Sequence, residues 1–342
     1  MLRLIRRTIL RWAHAAVDEA GAYAGVVRGW FHSPRQVVSA WPEGEVALGP
    51  RVALFVHFDR QGAVRRHVLE YLAALRDAGL SVVFVTNSGH LQADSLVALQ
   101  SICACILVRR NIGYDFGAMR EGLERLELPR PDTELVVIAN DSVYGPLCPL
   151  DTVLARADFG TADLWGATES WQRRYHLQSF FLVAGRAAMT SKAWHEFWSG
   201  VRPVLSKHWV VSRYEVGLTQ RLLRAGLRCA AIWPYQDVVG TIDAGLLSGD
   251  TAAADPFVNV RRIHASRIRH AAVERMPLNP TAELWRQLLE LGFPFIKREL
   301  LRDNPAKVLD IADWRDVVRA RFGADIGSIE RDLQRVLSNR SP

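Results

Sequence analysis

Val52-Ala53-Leu54-Phe55-Val56 is a short run of apolar, β-branched and aromatic residues, and the same pattern recurs before residue 140. Runs of this length and composition predict buried β-strands. The others are Ser81–Val85, Ala104–Val108 and Glu134–Ala139. Between the strands, apolar residues at helical spacing predict helices over Val64–Ala78, Asp94–Leu99 and Phe116–Leu126. This alternation predicts an α/β fold with a mostly parallel, Rossmann-like sheet flanked by helices.

The pattern loosens after residue 150 and becomes helical toward the C-terminus. Further strands are predicted over Asp163–Ala167, Phe180–Ala184 and Cys229–Trp233, and a further helix over Tyr214–Ala225. Because 342 residues exceed one typical domain, we expect several parts. These are an N-terminal basic helical segment and linker over 1–49, a main α/β domain over 50–245, and a C-terminal loop and helical extension over 246–342.

The first residues of the chain are basic and amphipathic. Apolar residues recur at helical spacing, with arginines along another face: Leu2, Ile5, Ile9 and Trp12, and Arg3, Arg7 and Arg11. Such a helix suits an anionic membrane surface, and it equally suits packing on the protein body. Residues 1–35 hold a net charge of +4 out of the total of +7. A basic end on a nearly neutral body does not favour a nucleic-acid-binding surface.

Two absences in the sequence bear on location. No apolar run reaches the ~18 residues that a membrane-spanning helix needs. The N-terminus lacks the apolar region and cleavage site of a secretory signal. The four cysteines lack zinc-ligand spacing, which indicates small apolar side chains in a reducing compartment. We expect a cytoplasmic protein, peripheral on the inner face of the cell membrane if its N-terminal helix binds lipid.

Polar side chains follow each of the first four predicted strands. Because the carboxyl ends of parallel strands meet at one edge of a sheet, where ligands bind, we expect these residues to form one site. Turn chemistry explains Asn, Asp, Gly and Ser at such positions, but not carboxylates together with two arginines and an aromatic residue. The candidates are His57, Asp59, Asn87, Arg109, Arg110, Asn111, Gly113, Asp115, Asn140, Asp141 and Ser142.

This mixture of residues suits a nucleotide-sugar donor. Asp59 can accept hydrogen bonds from the base or ribose, and Gly113 lets the backbone approach the donor. Asp141 can bind Mg²⁺ or Mn²⁺, which would bridge the diphosphate. Arg109 or Arg110 would help to neutralise that diphosphate as it departs. The absence of a Walker A or G-x-G-x-x-G element disfavours P-loop and dinucleotide-binding alternatives.

Glu215 is the candidate general base. It stands at the start of the predicted helix Tyr214–Ala225, where the helix dipole keeps a carboxylate ionised. An ionised carboxylate can take a proton from an acceptor hydroxyl. The alternative is that Glu215 only caps the helix.

Several segments carry recognisable motifs in a fixed order. They are Asn111-x-Gly113-Tyr114-Asp115-Phe116-Gly117, Asn140-Asp141-Ser142-Val143-Tyr144-Gly145-Pro146, His176-Leu177-Gln178-Ser179-Phe180-Phe181-Leu182, Asn279-Pro280 and Gly292-Phe293-Pro294-Phe295-Ile296-Lys297-Arg298-Glu299-Leu300-Leu301. Together they resemble the rhamnan synthesis protein F family of bacterial polysaccharide assembly. The resemblance covers residues 50–305 and implies a GT-A-like glycosyltransferase in O-antigen, capsule or rhamnan synthesis. It also implies dTDP-L-rhamnose as donor and a lipid-linked glycan as acceptor.

A more distant similarity to the inverting family 2 glycosyltransferases implies roles for particular residues. Asp141 matches the metal-binding acid and Glu215 the base, although Asn-Asp-Ser replaces Asp-x-Asp and Tyr214 replaces an acid before Glu215. His176 and Gln178 are then expected to touch donor or acceptor sugar, and His264 to close the metal site. Two alternatives stay open: a transferase for a GDP- or UDP-sugar, and a degenerate domain that binds glycan or scaffolds an assembly complex.

Overall fold

The structure is a computed structural model and describes residues 35–242 and 258–338, together with Tyr23, Ala24 and Val27. Strands are numbered in chain order. They are β1 Val37–Trp41, β2 Arg51–His57, β3 Ser81–Thr86, β4 Cys105–Arg109, β5 Leu135–Asn140, β6 Val143–Tyr144, β7 Leu164–Ser170, β8 His176–Leu177, β9 Phe181–Gly185, β10 Cys229–Trp233 and β11 Ile296–Lys297. The four strands predicted before residue 140 correspond to β2, β3, β4 and β5.

The helices are numbered in the same way. They are α1 Arg66–Asp77, α2 Ala93–Gln100, α3 Tyr114–Arg125, α4 Leu150–Leu154, α5 Arg186–Met189, α6 Lys192–Gly200, α7 Lys207–Trp209, α8 Val216–Arg224, α9 Tyr235–Gly240, α10 Val258–Val273, α11 Pro280–Glu283, α12 Trp285–Glu290, α13 Arg298–Arg302, α14 Trp314–Phe322 and α15 Gly327–Ser338. A π-helical segment, Val210–Glu215, joins α7 to α8, and a 3-10 helix, Leu309–Asp313, precedes α14.

The central sheet is mostly parallel, as predicted. Its order is β1-β4-β3-β2-β5-β9-β7-β10, with β8 paired to β7. Strands β2 to β5 run parallel, whereas β9 runs antiparallel to both of its neighbours. The chain leaves β2 toward β3 and β4 and then returns to place β5 on the other side of β2. The carboxyl ends of β2 and β5 therefore flank the switch point where open α/β sheets bind ligands.

Helices cover both faces of the sheet because the central strands are apolar on both. Along β2, Val52, Leu54 and Val56 belong to one core cluster, and Ala53 and Phe55 belong to the other. Successive strand residues point to opposite faces, so a strand buried on both sides must be apolar throughout. Each large side chain buried in this way contributes about 1.5–3 kcal/mol to folding.

The C-terminal segment packs against the sheet domain and adds the short strand β11. It pairs antiparallel with β6, so that Ile296 faces Tyr144 and Lys297 faces Val143. A third core cluster joins Tyr144 to residues of the last helices, including Trp285 and Leu333. This pairing brings residues 296–298 to the loop that follows β5.

Two predicted segments differ from the structure. Strand β1 lies in the segment predicted as linker and pairs antiparallel with β4, which extends the sheet at its edge. The helix predicted to begin at Tyr214 is preceded by α7 and the π-helical segment. The boundaries proposed at residues 49 and 245 stay predictions.

The predicted N-terminal amphipathic helix lies outside the described residues, so its membrane role stays a prediction. No helix in the described part of the chain is long and apolar enough to span a bilayer.

Candidate active site

The carboxyl ends of β2 and β5 are joined by backbone contacts. Val56 and Asn140 are partners in the parallel ladder, and the Asp141 N–H donates to the Val56 carbonyl at 3.1 Å. At the next residue of β2, the buried His57 places Nδ1 3.1 Å from Thr86 Oγ1 on β3. Burial lowers the pKa of His57, which favours a neutral imidazole. The carboxyl ends of β2, β3 and β5 therefore lie side by side at one edge of the sheet.

Asn140 organises the loop that carries Asp141 and Ser142. Its Oδ1 accepts from the Ser142 N–H at 3.1 Å and from Ser142 Oγ at 2.6 Å. Its Nδ2 donates to Asp115 Oδ2 at 3.1 Å. The asparagine of Asn-Asp-Ser therefore fixes the turn and connects it to the first turn of α3, which leaves the side chain of Asp141 for other partners.

Asp141 is paired with an arginine that sequence reasoning missed. Arg298 Nη1 donates to Asp141 Oδ2 at 3.0 Å and to its carbonyl oxygen at 2.8 Å. Arg298 Nη2 also lies 3.3 Å from Asp332, a buried carboxylate of α15 that accepts from Tyr144 Oη at 2.8 Å. The last helix thus holds Arg298, and Arg298 holds Asp141.

Asp115 faces the same cluster of charges. Burial, followed by the negative charge of Asp141, raises the pKa of Asp115 to about 6; the charge of Glu215 acts in the same direction, and Lys297 opposes it. Two neighbouring carboxylates repel one another, and an incoming cation would relieve that repulsion. Perturbed pKa values of this origin are typical of functional sites.

This shift has a measurable consequence for stability. Because the folded-state pKa of Asp115 lies above its ordinary value of 3.8, the folded protein binds more protons between these values, and stability falls as pH rises through the window. At pH 8, the free energy of unfolding of Asp115→Asn, measured by denaturant titration, should therefore exceed that of the wild type by about 1–3 kcal/mol. The difference in unfolding free energy between Asp115→Asn and the wild type should grow from pH 4 to pH 6 and stay constant above pH 6. A difference independent of pH would contradict this placement of Asp115.

Glu215 ends the π-helical segment and is held by Ser179. Its Oε1 accepts from the Ser179 N–H at 2.9 Å and from Ser179 Oγ at 2.8 Å. The expected helix N-terminus is corrected, because residues 207–214 before Glu215 are already helical. The capping alternative also lacks support, since the side chain makes no cap hydrogen bond. A π-helical turn is frequent at functional sites, and here it aims the carboxylate at Ser179.

Lys297 is a second cation that the sequence did not single out. Its Nζ lies 3.4 Å from Ser142 Oγ and 5.4 Å from the centre of the Phe180 ring. Burial lowers its pKa, and the charges of Glu215, Glu299 and Asp115 act in the opposite direction. The available signal was a basic pair, Lys297-Arg298, directly after the apolar run Phe293–Ile296.

Asn87 and Arg109, at the carboxyl ends of β3 and β4, serve the protein's own structure. Arg109 is buried, and its guanidinium contacts Glu121, Asn87 Oδ1 and the Ile112 carbonyl, the last at 2.8 Å. Arg110 and Asn111 are exposed. The expectation that Arg109 contacts the diphosphate is therefore corrected: the side chain is 1% exposed, and each of its three nitrogens donates to an acceptor of the protein itself.

Gly113 and Asp59 also have local roles. Gly113 adopts a φ of +89°, and a Cβ there would lie 3.3 Å from the Cα atoms of Gly117 and Pro203. The close backbone approach is therefore to the protein itself. Asp59 Oδ1 accepts from the Gln61 N–H at 2.8 Å and the Ala63 N–H at 3.3 Å, which shapes the loop after β2. One oxygen of Asp59 is engaged in this way, and its proposed role toward base or ribose stays a prediction.

The three remaining predicted site residues, His176, Gln178 and His264, make polar contacts with other parts of the protein. His176 Nδ1 is 2.8 Å from the Arg174 carbonyl, and Gln178 Oε1 accepts from Thr168 Oγ1 at 2.7 Å. His264 Nε2 lies 2.7 Å from the Glu283 carbonyl and 3.7 Å from Asp310. Helix α10 thus directs His264 to the C-terminal segment, and the structure does not bring it to Asp141. Among the described residues, no group of three or more His, Cys, Asp or Glu side chains is arranged to hold a metal ion.

Two relatives show similarity over much of the chain. The virulence protein VirA of Vibrio anguillarum is 29% identical over 235 residues, which are 68% of this chain and 72% of VirA. Protein y4gN of Sinorhizobium fredii is 25% identical over 201 residues, or 58% of this chain and 52% of y4gN.

Solved structures match only loosely. A putative nucleotide-diphospho-sugar transferase from Desulfovibrio desulfuricans has 12% identity and a TM-score of 0.30, covering 64% of this chain and 97% of its own. A mannosyltransferase from Pyrobaculum calidifontis, in complex with GDP-Man and Mn²⁺, has 13% identity and a TM-score of 0.31. The match covers 98% of this chain and 92% of the mannosyltransferase chain. Similarity at this level supports no functional comparison.

The sequence also matches a protein family. Residues 82–274 match the family described as rhamnan synthesis protein F, and this span includes β3 to β5, Asp115, Asp141 and Glu215. Because the match covers more than half of the chain, the protein belongs to the rhamnan synthesis protein F family.

Proposed function

We propose that the protein is a glycosyltransferase that moves a sugar from a nucleotide-sugar donor to a growing cell-surface polysaccharide. The observation that carries the proposal is one cluster of charges at the switch point of the sheet. Asp115, Asp141 and Glu215 lie there with Lys297 and Arg298, close enough for their charges to act on one another. Family membership supports a role in polysaccharide synthesis.

Glu215 is the proposed general base of direct displacement. It takes the proton of an acceptor hydroxyl, whose oxygen then forms a bond to C1 of the donor sugar. The bond from C1 to the β-phosphate oxygen breaks, and its electron pair stays on the phosphate. Ser179 holds Glu215 through two hydrogen bonds to Oε1, which orients the carboxylate for proton transfer. A single displacement inverts the configuration at C1.

L-rhamnose is the proposed sugar, and the family description supports this choice. A β-linked dTDP-L-rhamnose donor would give an α-rhamnoside by inversion. A GDP- or UDP-sugar is the competing donor, because neither the base nor the sugar is specified by the described contacts.

A divalent cation is compatible with the residues at this site. Asp141, with Asp115 beside it, would hold Mg²⁺ or Mn²⁺, since carboxylate oxygens are the ligands that these ions prefer. Burial, and after it the negative charge of Asp141, raises the pKa of Asp115, and a cation bound between the two carboxylates would offset their mutual repulsion. When bound, the ion would neutralise part of the diphosphate charge.

The proposed acceptor is a lipid-linked glycan at the inner face of the membrane. The basic N-terminal segment, with a net charge of +4 over residues 1–35, supports contact with anionic lipid. The cytoplasmic location is part of the same proposal.

A donor panel tests the proposed function. The purified full chain is incubated with dTDP-rhamnose, UDP-sugars and GDP-sugars, with Mn²⁺ and with chelator, and release of nucleoside diphosphate is followed. We expect turnover of one donor, and proton NMR of the product should show inversion at C1. Retention at C1 would contradict direct displacement by Glu215. Tight glycan binding without turnover of any donor would support the scaffold alternative.

A further inference from the structure

We propose that Lys297 binds the β-phosphate of the donor and stabilises the departing diphosphate. This inference rests on the proposed function and adds a residue that lies beyond the family match at 82–274. It replaces the expectation that Arg109 or Arg110 takes this role.

The position of Lys297 is determined by strand pairing. Lys297 faces Val143 across the β6–β11 ladder, and the Arg298 N–H donates to the Ser142 carbonyl at 3.0 Å. The ammonium therefore lies beside the loop after β5, 3.4 Å from Ser142 Oγ. The ammonium also lies over the Phe180 ring, 5.4 Å from its centre, which favours a cation at this position.

The ammonium of Lys297 has unused hydrogen-bonding capacity. An ammonium has three N–H donors, and Ser142 accepts one. Within the described part of the chain, no carboxylate oxygen lies within the 4.0 Å that defines an ion pair with Nζ. A recessed cation without a close anion is poorly solvated, and an entering phosphate oxygen would satisfy it.

The nearby arginines are less suited to this role. Arg298 already contacts Asp141 and Asp332, and Arg109 is committed to Glu121, Asn87 and Ile112. Arg110 follows β4, which is separated from β5 by β3 and β2. Three strand spacings of about 4.8 Å place that strand end about 14 Å away.

Lys297 would act by charge and not by proton transfer. When the bond from C1 to the β-phosphate oxygen breaks, the diphosphate keeps the electron pair and gains one negative charge. A hydrogen bond from the ammonium to that oxygen strengthens as the charge develops, which lowers the barrier.

Nucleotide binding tests this inference. Isothermal titration of the full chain with UDP, GDP and dTDP, each in Mn²⁺, identifies the diphosphate that binds, and the matching monophosphate serves as comparison. Lys297→Met keeps the aliphatic stem and should weaken diphosphate binding about 10- to 100-fold, with monophosphate binding unchanged. Lys297→Arg should retain most of the affinity. Lys192→Met, at an exposed lysine of α6, is the matched control and should bind like the wild type.

The outcomes separate the inference from the proposed function. If the wild type binds none of the nucleotides, the proposed function is overturned and the inference with it. If the wild type binds a diphosphate and Lys297→Met binds it equally tightly, only the inference is overturned. An equal loss of monophosphate and diphosphate affinity would also overturn it, because a β-phosphate contact cannot affect a monophosphate. Thermal unfolding of each variant establishes that it is folded.

Discussion

Glu215→Gln is expected to lower the rate of sugar transfer about 10²- to 10⁴-fold while nucleotide binding stays within about twofold of the wild type. Glutamine has the shape of glutamate and can still accept from Ser179, so the local structure is preserved. It cannot take the proton of an acceptor hydroxyl. The loss therefore falls on the chemical step and not on donor affinity.

The measurement is the single-turnover rate of transfer at saturating donor. Glu196→Gln is the matched control, because Glu196 is an exposed glutamate paired with Arg221 on the protein surface. Ser179→Ala should give a smaller loss of rate, since it removes one of two hydrogen bonds to Glu215 and keeps the base. Wild-type transfer by Glu215→Gln would exclude Glu215 as the base.

Arg109→Met is expected to lower the free energy of unfolding by about 3–5 kcal/mol. The substitution leaves the buried Glu121 carboxylate without its ion pair, and Asn87 Oδ1 loses its donor. An unpaired charge in the core costs more than the ion pair itself contributes.

Urea denaturation of Arg109→Met and Arg110→Met distinguishes a structural role of Arg109 from a role in donor binding. Arg110 is exposed, so Arg110→Met should change stability by less than about 0.5 kcal/mol. If Arg109→Met proved as stable as the wild type and lost only nucleotide binding, the donor-binding role expected from the sequence would be restored.

Local patterns in the sequence predict most of the sheet and the edge that carries the site. Apolar runs such as Val52–Val56 specify buried strands, and their alternation with helices specifies a parallel sheet; the return of β5 to the side of β2 is a feature that the structure adds. The polar residues after each strand then have to share one edge. For that reason the sequence predicts Asn140, Asp141 and Asp115 at one place, and in the structure Asn140 hydrogen-bonds to both Asp115 and Ser142.

The partners of those residues depend on contacts that no local pattern specifies. Arg298 reaches Asp141, which lies 157 positions earlier in the chain, only because β11 pairs with β6. Lys297 is placed by the same pairing. In a sequence, such residues resemble any solvated basic pair, and the resemblance to the family marked their segment without giving it a role.

Buried charge was the other feature that sequence reasoning missed. An arginine after a strand has the same appearance whether it faces solvent or the core, so Arg109 was assigned to the donor. The informative residue is Glu121, which interrupts the buried face of α3 between Ala118 and Gly122. A carboxylate at such a position requires a buried partner, and Arg109 is that partner.

The most direct test of the central claim is a structure of the full chain with the nucleoside diphosphate that titration identifies. We predict that the diphosphate lies beyond the carboxyl ends of β2 and β5, with its β-phosphate within hydrogen-bonding distance of Lys297 Nζ and close to Asp141. A nucleotide bound at another edge of the sheet, away from Asp141 and Glu215, would contradict the account.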